Sequence, residues 1–334
     1  MALELDVYRG QLEQARHLTN LTDDNKRKKA VRACAEKDFD TLWEIVLGYL
    51  TLYAQNKILT STHTIRSYHT GIRQFVEYAT QNAWNLLNPK RDDPQLWVNA
   101  LLVTPAINPK AVRPPKKPKT LSIDTVRSRV AAVRTLYKAL RWAGATEADP
   151  FQDVRLPKDN THSLEKNAPY AEEEVEAFLE YADLPMQVLI YLLSHGGLRI
   201  SEALAVEWED LDDSRRRLRI NEGKGRKTRT IAMSTSLLQV LREYRRELGV
   251  RPDGQLFSFG TRETAHYHIE KVALQAGVRF RGFHAFRKYA GTRLMEQVKD
   301  LSRVANHLGH ASVDTTRKYA KPAADDLKDE LSGW

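Results

Sequence analysis

Four side chains near the end of the sequence are of types that could together attack a phosphodiester. His284 and Arg287 lie three residues apart, so a helix would place them on one face. His310 precedes Tyr319 by nine residues, which leaves room for a short helix and a turn back toward the same pocket. A tyrosine phenol has a pKa near 10, so it becomes a useful nucleophile only beside cationic donors and a proton acceptor. The spacing therefore predicts that these residues converge on a site for phosphodiester attack.

These segments also resemble the C-terminal motifs of a known family, the tyrosine recombinases or phage integrases. The family pattern reads His-x-x-Arg, then Leu-Gly-His, then a tyrosine. This sequence has all three in order, with Leu308-Gly309-His310 between Arg287 and Tyr319. A single His-x-x-Arg would be a chance match, but the ordered set is specific.

Arg199 lies where a turn meets the start of a predicted helix. The paired glycines Gly196 and Gly197 allow a tight turn, and an arginine held at a rigid helix start is well placed to bind a phosphate oxygen. Pairing with Glu202 or Asp210 at the surface is the alternative for this arginine. The segment Gly-Leu-Arg-Ile-Ser-Glu resembles the first-arginine motif of the family, which implies a catalytic Arg199 and a supporting Glu202.

Residues 215–233 change to a period of two, with apolar and charged residues alternating on either side of a Gly-Lys-Gly turn. This pattern predicts a β-hairpin. Eight basic residues and one acid lie between 215 and 229, which favours a polyanionic partner. The resemblance implies that Lys224 at the hairpin tip protonates the leaving oxygen, and that its neighbours Arg226 and Lys227 bind phosphates.

Composition limits the class of protein. The 334 residues suffice for about two domains, each with its own core. Lysines and arginines number 52 against 43 aspartates and glutamates, a formal charge of +9, which favours nucleic acid over membrane as a partner. A basic protein without a polyanionic partner fits that charge equally well, so the clustering of the basic residues has to distinguish the two. The single cysteine, Cys34, excludes an internal disulfide and a thiolate metal cluster and fits a reduced compartment.

Neither a signal peptide nor a metal site is predicted. The first residues lack the basic start and apolar core of a signal peptide, and the longest apolar run, 184–193, is too short to span a bilayer. His266 and His268 would face different sides of a helix, and His307 and His310 have no evident third ligand. We therefore expect a soluble, cytoplasmic and nucleoid-associated protein that needs no metal or other cofactor.

The N-terminal half has the pattern of a small helical bundle. Its second helical segment resembles the core-binding domain of the family, which grips one face of DNA. Arg66 and Arg73 lie off the apolar stripe of that segment, so they are candidate DNA contacts. The segments with apolar residues at helical spacing are 38–56, 61–78, 94–103 and 122–142.

A proline-rich loop interrupts this bundle at 104–120. The segment carries basic residues and no acid, so it predicts an extended, positively charged chain. Lys116 and Lys117 could lie along a phosphate backbone, and a solvated surface loop fits the sequence equally well.

The fold class expected from these patterns is mainly α with a small antiparallel β-sheet, in two domains that form a clamp around DNA. The helix that begins at Arg199 or Ser201 is predicted to continue to Trp208. A terminal helix, 322–334, would fold back on its own domain or pack on a neighbouring protomer. The predicted parts are an N-terminal arm (1–36), a helical core-binding domain (37–157), a linker (158–169) and a catalytic domain (170–334).

The resemblance implies a reaction through a covalent link between protein and DNA. Tyr319 attacks the scissile phosphorus, forms a 3′-phosphotyrosyl link and releases a 5′-hydroxyl. Arg199 and Arg287 bind the non-bridging oxygens, where their planar guanidinium groups stabilise negative charge. His284 accepts or relays the phenol proton, and His310 donates a hydrogen bond to the phosphoryl group. A 5′-hydroxyl of a partner duplex reverses the step and exchanges strands, without ATP or metal.

Site-specific recombination is the favoured function, with double-stranded DNA as the partner and a homo-oligomer, from dimer to tetramer, as the active assembly. Three alternatives use the same features. A type IB topoisomerase-like enzyme would relax supercoils with the same residues. A non-catalytic DNA-binding protein would keep only the fold, and a helical scaffold would bind another acidic partner.

Overall fold

Helices make up most of the part of the chain that the structure describes. The computed structural model describes residues 17–18, 20–53, 62–105, 120–158, 168–221, 228–249, 254–310 and 316. Within these ranges lie twelve α-helices, one short 3-10 helix and three β-strands. Tertiary contacts divide the chain into two units, Met1–Asp159 and Asn160–Trp334. No helix in the described ranges has the length and apolar character that crossing a membrane requires.

The first unit is a helical bundle. Its described helices are α1 (Asp23–Glu36), α2 (Phe39–Tyr53), α3 (Thr62–Gln81), α4 (Asp93–Val103) and α5 (Ile123–Trp142). Side chains cap their ends: the Thr22 hydroxyl accepts a hydrogen bond from the Asn25 amide at 3.3 Å, and the Ser122 hydroxyl accepts one from the Thr125 amide at 3.2 Å. Helices predicted at 94–103 and 122–142 correspond closely to α4 and α5.

Aromatic side chains form the centre of this bundle. The Phe75 ring lies 5.2 Å from the Trp97 ring and 5.5 Å from the Phe151 ring, both edge to face. The buried Tyr137 phenol donates a hydrogen bond to the Leu86 carbonyl at 3.0 Å, so its polar group is satisfied. Phe75 belongs to α3 and Tyr137 to α5, so this cluster holds the two helices together.

Helix α1 is also part of this core. The expectation of a separate arm at 1–36 does not hold for α1, which buries Ala30, Ala33 and Cys34 among the bundle's apolar side chains. The basic run that precedes them obscured the pattern, because a lysine stem can cover apolar surface while its ammonium group stays solvated. The Lys26 side chain is itself buried, with its Nζ 4.7 Å from the Trp142 ring and 3.2 Å from Asp23 Oδ1.

The second unit is organised around a buried helix. Its described helices are α6 (Glu172–Tyr181), α7 (Leu184–Ser194), α8 (Ile200–Ala203), α9 (Thr235–Glu247), α10 (Arg262–Gln275), α11 (Phe283–Val298) and α12 (Leu301–Leu308). The apolar run of α7 is almost fully buried, as its composition predicts, and α9 and α11 both pack against it. The helix that carries His284 and Arg287 therefore rests directly on the core.

A small antiparallel sheet lies between α8 and α9 in the sequence. Its strands, in spatial order, are β1 (Leu211–Asp212), β2 (Arg217–Ile220) and β3 (Arg229–Ala232). Leu218 pairs with Ile231, and both are buried, whereas Arg217 and Arg219 are exposed. The predicted hairpin is present as β2 and β3, with β1 as an additional short strand.

The helix that was expected to run from Arg199 to Trp208 ends at Ala203. A different part of the chain takes its backbone hydrogen bonds: the Leu256 amide donates to the Val206 carbonyl at 2.9 Å, and the Trp208 amide donates to the Gly254 carbonyl at 3.0 Å. These pairings hold Val206 and its neighbours extended, so the helix cannot continue. A 3-10 turn at Trp208–Asp210 then leads into β1.

We predict that Phe75→Ala destabilises the first unit by about 3–5 kcal/mol, because it removes a buried ring and leaves a cavity. Leu96→Ala is the matched control, since Leu96 is 52 % exposed. We expect it to change the unfolding free energy by no more than about 0.5 kcal/mol. Urea unfolding followed by tryptophan fluorescence measures both variants, and equal losses would contradict this packing.

Candidate active site

A tight turn places Arg199 at the start of α8. Gly197 has a φ of +66°, and a Cβ at this position would lie 2.5 Å from Leu308 Cδ2, so glycine is required. The Arg199 amide donates to Glu202 Oε2 at 2.9 Å, which caps the helix. Arg199 Nη1 donates to Glu202 Oε1 at 2.6 Å. The local fold therefore sets a guanidinium beside a carboxylate three residues later in the chain.

Asp210, the other carboxylate considered as a partner for Arg199, has a different role. Its Oδ1 accepts hydrogen bonds from Arg219 Nε at 3.0 Å and from Asn221 Nδ2 at 2.8 Å. Asp210 is buried, and it fastens the end of β2 to the preceding turn. Arg199 is thus paired with Glu202.

Arg287 is a buried arginine on α11. Its side chain is 1 % exposed, and it donates from Nη1 to the Gly197 carbonyl and from Nη2 to the Leu308 carbonyl, both at 2.6 Å. Nη1 also lies 3.6 Å from Glu202 Oε2. This guanidinium therefore joins the turn before α8 to the end of α12.

The C-terminus of α12 faces three arginines from three separate elements. The last carbonyls of a helix have no partner within it and carry partial negative charge, so they attract cations. In this protein, three consecutive carbonyls at the end of α12 each accept a hydrogen bond from a different guanidinium group. These hydrogen bonds run from Arg229 Nε to His307 (3.2 Å), from Arg287 Nη2 to Leu308 (2.6 Å) and from Arg199 Nη2 to Gly309 (3.3 Å).

The Glu202 carboxylate is the second negative group among these arginines. Its side chain is 8 % exposed, and besides its bonds to Arg199 it accepts from Arg229 Nη1 at 3.2 Å and from Arg229 Nη2 at 2.8 Å. Burial by itself would raise the pKa of this carboxyl. Hydrogen bonds from Arg229 and from Arg199 outweigh that effect and lower the pKa of Glu202 to about 2. Glu202 is therefore ionised at neutral pH.

His310 follows directly on the end of α12. It is half-buried, and its Nδ1 lies 2.9 Å from Thr316 Oγ1. Loss of solvation, followed by the positive charges of Arg287 and Arg199, lowers the pKa of His310 to about 4. The imidazole is therefore neutral at pH 7 and can donate one hydrogen bond from a ring nitrogen.

His284 occupies the first turn of α11, three residues before Arg287. Its side chain is exposed whereas that of Arg287 is buried, and when protonated it contributes to lowering the pKa of His310. The structure thus brings Arg199, Glu202, Arg287 and His310 together, and His284 lies exposed three residues before Arg287 on α11.

Arg229 is the member of this group that the sequence analysis missed. It lies on β3 with its side chain 12 % exposed, inside the cluster of arginines. One signal could have identified it: Arg229 alternates with the buried Ile231, so strand periodicity places both side chains on the inner face of the sheet. An arginine at an inward position of a strand needs a buried partner.

The remaining predicted site residues lie outside the described ranges. They are Lys116, Lys117, Lys224, Arg226, Lys227 and the predicted nucleophile Tyr319. Asn221 and Thr228 are the described residues on either side of the hairpin turn, and Thr316 lies three residues before Tyr319. Among the described residues, histidines, cysteines and acids form no group of three that could hold a metal ion.

The first unit has a polar groove between α3 and α5. Its volume is about 450 Å³, and Arg66 lines it, as does Arg129. The Ser67 and Ser128 hydroxyls lie 2.8 Å apart across it. Arg129 Nη1 is buried and has no hydrogen-bond partner within the described ranges. Arg73 lies in another shallow groove, with its guanidinium 4.6 Å from the Phe39 ring.

Two family models match the chain, and together they span most of it. Residues 49–144 match the N-terminal SAM-like domain of phage integrases, and residues 170–325 match the phage integrase family. The second match contains Arg199, Arg287, His310 and Tyr319 in order. The chain belongs to the phage integrase family. It is a tyrosine recombinase, an enzyme of the class that cuts and rejoins DNA strands at specific sites.

Relatives of this recombinase match over most of their length. A tyrosine recombinase of Pseudothermotoga lettingae is 23 % identical over 283 residues, which cover 83 % of this chain and 93 % of the relative. XerC of Staphylococcus haemolyticus is 26 % identical over 286 residues, covering 80 % and 89 %. A solved structure of the XerH site-specific recombinase bound to palindromic difH substrate matches with a TM-score of 0.63 and 19 % identity, covering 97 % of this chain and 93 % of that one. This match shows a shared fold, and the predicted fold class, mainly α with a small antiparallel sheet, is confirmed.

We predict that the His310 imidazole of the DNA-free recombinase stays neutral down to about pH 5, because its pKa is lowered to about 4. An NMR titration of histidine-labelled protein measures this, with His310→Gln to assign the signal. In the unfolded chain a histidine binds a proton near pH 6.5, whereas His310 in the folded protein does so only near pH 4. The free energy of unfolding should therefore fall as the pH is lowered from about 6.5 to about 4. A His310 signal that titrates near pH 6.5 would contradict the desolvated, positively charged setting.

Proposed function

We propose that this recombinase cuts one DNA strand by attack of the Tyr319 phenolic oxygen on the scissile phosphorus. The new bond to Tyr319 forms as the bond to the 5′ oxygen breaks, which leaves a 3′-phosphotyrosyl link and a 5′-hydroxyl. The observation that carries this proposal is the convergence of Arg199, Arg287 and His310 at the end of α12, a few residues before Tyr319. Because the link conserves the energy of the phosphodiester, the reaction needs neither ATP nor a metal.

The two arginines stabilise the charge on the phosphate in different ways. The Arg199 side chain is 38 % exposed, so its guanidinium can bind the non-bridging oxygens directly. Arg287 is 1 % exposed and acts in this arrangement as a fixed buried positive charge. Because water screens such a charge poorly, it stabilises negative charge on the phosphate strongly. Glu202 supports Arg199 by holding its guanidinium from one side.

Three groups handle protons and hydrogen bonds in the proposed step. His284 is exposed at the start of α11 and accepts the proton of the attacking phenol. Neutral His310 donates a hydrogen bond to the phosphoryl group, and a hydrogen bond between its Nδ1 and the Thr316 hydroxyl would set its tautomer. Lys224 protonates the departing 5′ oxygen.

Strand exchange follows when the 5′-hydroxyl of a second duplex attacks the phosphotyrosyl link. This step restores a phosphodiester, frees the phenol and requires two duplexes to be held together. We propose double-stranded DNA as the partner and a homo-oligomer, from dimer to tetramer, as the active assembly. The site of action would be the cytoplasmic nucleoid.

The first unit would bind the DNA backbone through its polar groove. Arginine and hydroxyl side chains are the groups that commonly contact phosphates, and the groove contains both kinds. Arg129 lines the groove together with these hydroxyl groups, so its guanidinium is a further candidate for a phosphate contact. Arg66 is the leading contact in this groove, and Arg73, in the separate groove beside Phe39, is a second candidate. Lys116, Lys117, Arg226 and Lys227 are proposed on charge alone.

A covalent adduct tests the reaction directly. We expect the recombinase to remain linked to a nicked suicide duplex in denaturing gels, and Tyr319→Phe to give no adduct. Arg199→Ala should bind the same DNA yet cleave about 10²–10³ times more slowly, since it lacks one charge-stabilising donor. Arg287→Lys keeps the charge but loses the fork that bonds two carbonyls, so its cleavage should also fall.

Other outcomes of this experiment favour other functions. An adduct at a residue other than Tyr319, or full cleavage by Arg199→Ala, would contradict the assigned roles. Relaxation of a plasmid without exchange between two marked sites would favour a topoisomerase-like activity. DNA binding without any adduct would favour a non-catalytic DNA-binding protein.

We predict that Arg66→Ala weakens DNA binding and lowers the slope of log affinity against log salt concentration by about one. Arg32→Ala is the matched control, because Arg32 is an exposed arginine on α1 that pairs with Glu36 at 2.9 Å. Fluorescence anisotropy of labelled duplex DNA at several salt concentrations measures both variants. Unchanged slopes for Arg66→Ala would exclude a phosphate contact by Arg66.

A further inference from the structure

Arg229 has the contacts of a residue that organises the site rather than one that binds DNA. Its Nη1 and Nη2 both donate to Glu202, and its Nε donates to the His307 carbonyl. All three nitrogens are thus directed inward, and the side chain is 12 % exposed. Arg199, by contrast, shares the same carboxylate but is 38 % exposed.

The surroundings of Arg229 are shaped to its guanidinium. Gly309 has a φ of +68°, and a Cβ there would lie 2.6 Å from Arg229 Cζ. A side chain at Gly309 would therefore strain the backbone and displace Arg229 at once. Because His310 is the next residue, the position of the Arg229 guanidinium and the exit of the chain from α12 depend on each other.

We propose that Arg229 is a positioning residue for cleavage: it holds the Glu202 carboxylate beside Arg199 and holds the end of α12 that leads into His310. This inference rests on the proposed function, because it assigns Arg229 a role in the same reaction. Arg229 joins β3 to α8 and α12, three elements far apart in sequence.

The chemistry of arginine suits this role and that of lysine does not. A planar fork can donate two parallel hydrogen bonds to a carboxylate and a third to a carbonyl, whereas an ammonium group is a single point of charge. Without the fork, Glu202 would draw closer to Arg199 and compete with the phosphate for it. Replacing Arg229 should therefore weaken the stabilisation of negative charge on the phosphate, and it should leave protonation of the leaving oxygen unchanged.

The first test compares cleavage of two suicide duplexes. One has the ordinary scissile linkage, and the other has sulfur in place of the bridging 5′ oxygen, so that the leaving thiolate needs no proton. We expect Arg229→Lys to cleave both about 10–100 times more slowly than the unmodified protein, as for loss of a residue that orients another. Its DNA affinity, measured in a Tyr319→Phe background, should stay within about twofold.

Matched variants separate the possible causes. Arg242→Lys is the control for an arginine paired with a carboxylate elsewhere, since Arg242 Nε lies 3.6 Å from Asp213 Oδ2, and it should cleave normally. Lys224→Ala should be slow on the ordinary duplex and restored by sulfur. If sulfur does not restore Lys224→Ala, or if Arg199→Ala cleaves normally, the proposed function fails whatever Arg229 does.

A double-mutant cycle tests whether Arg229 acts through Glu202. Glu202→Gln combined with Arg229→Lys should cleave no more slowly than the slower single variant, because the two changes break one interaction. Arg229→Gln, which keeps a neutral donor, is the second variant should Arg229→Lys melt below the assay temperature, and the same cleavage defect is expected. Normal cleavage by a folded Arg229 variant, restoration by sulfur, or multiplicative losses in the cycle would each overturn the inference.

Discussion

Two negative groups allow three guanidinium groups to lie together in the second unit. One is the Glu202 carboxylate, and the other is the carbonyl end of α12, where His307, Leu308 and Gly309 each accept from a different arginine. Like charges brought together away from water repel strongly, and a buried charge without a partner is costly. The carboxylate neutralises only one of the arginines. The cluster therefore keeps an excess of positive charge while every guanidinium is hydrogen-bonded.

In the proposed reaction, this arrangement makes the site ready before DNA binds. Arg199, Arg229 and Arg287 come from the turn before α8, from β3 and from α11, and all three meet at the end of one helix. Donors that are already oriented need no reorganisation as charge develops on the phosphate. Burial and the same positive charges lower the pKa of His310 to about 4, so in the proposed step that residue acts as a neutral hydrogen-bond donor rather than as a fourth cation.

The two units differ in whether the candidate binding groups belong to the packed core. In the first unit the aromatic cluster around Phe75 supplies the packing, and the polar groove between α3 and α5 is separate from it. In the second unit the buried arginine cluster is itself part of the structure, because Arg287 bonds two backbone carbonyls. We therefore expect substitutions there to change folding and the proposed chemistry together, so binding, melting and cleavage have to be measured on the same variants.

The sequence by itself determined the helices α4 and α5, the hairpin and the order of His284, Arg287 and His310, because caps, periodicity and motif spacing act between residues close in the chain. The tertiary structure alone decided what depends on distant partners. Arg229 reaches His307 across 78 residues of chain, and α8 stops at Ala203 because the backbone that follows it bonds to residues 254–256. Helix α1 is part of the core through Ala30, Ala33 and Cys34. The basic run beside these residues hid the apolar pattern that would have predicted their burial. Contacts of this kind follow from how elements pack, and a single sequence read along its length does not contain their geometry.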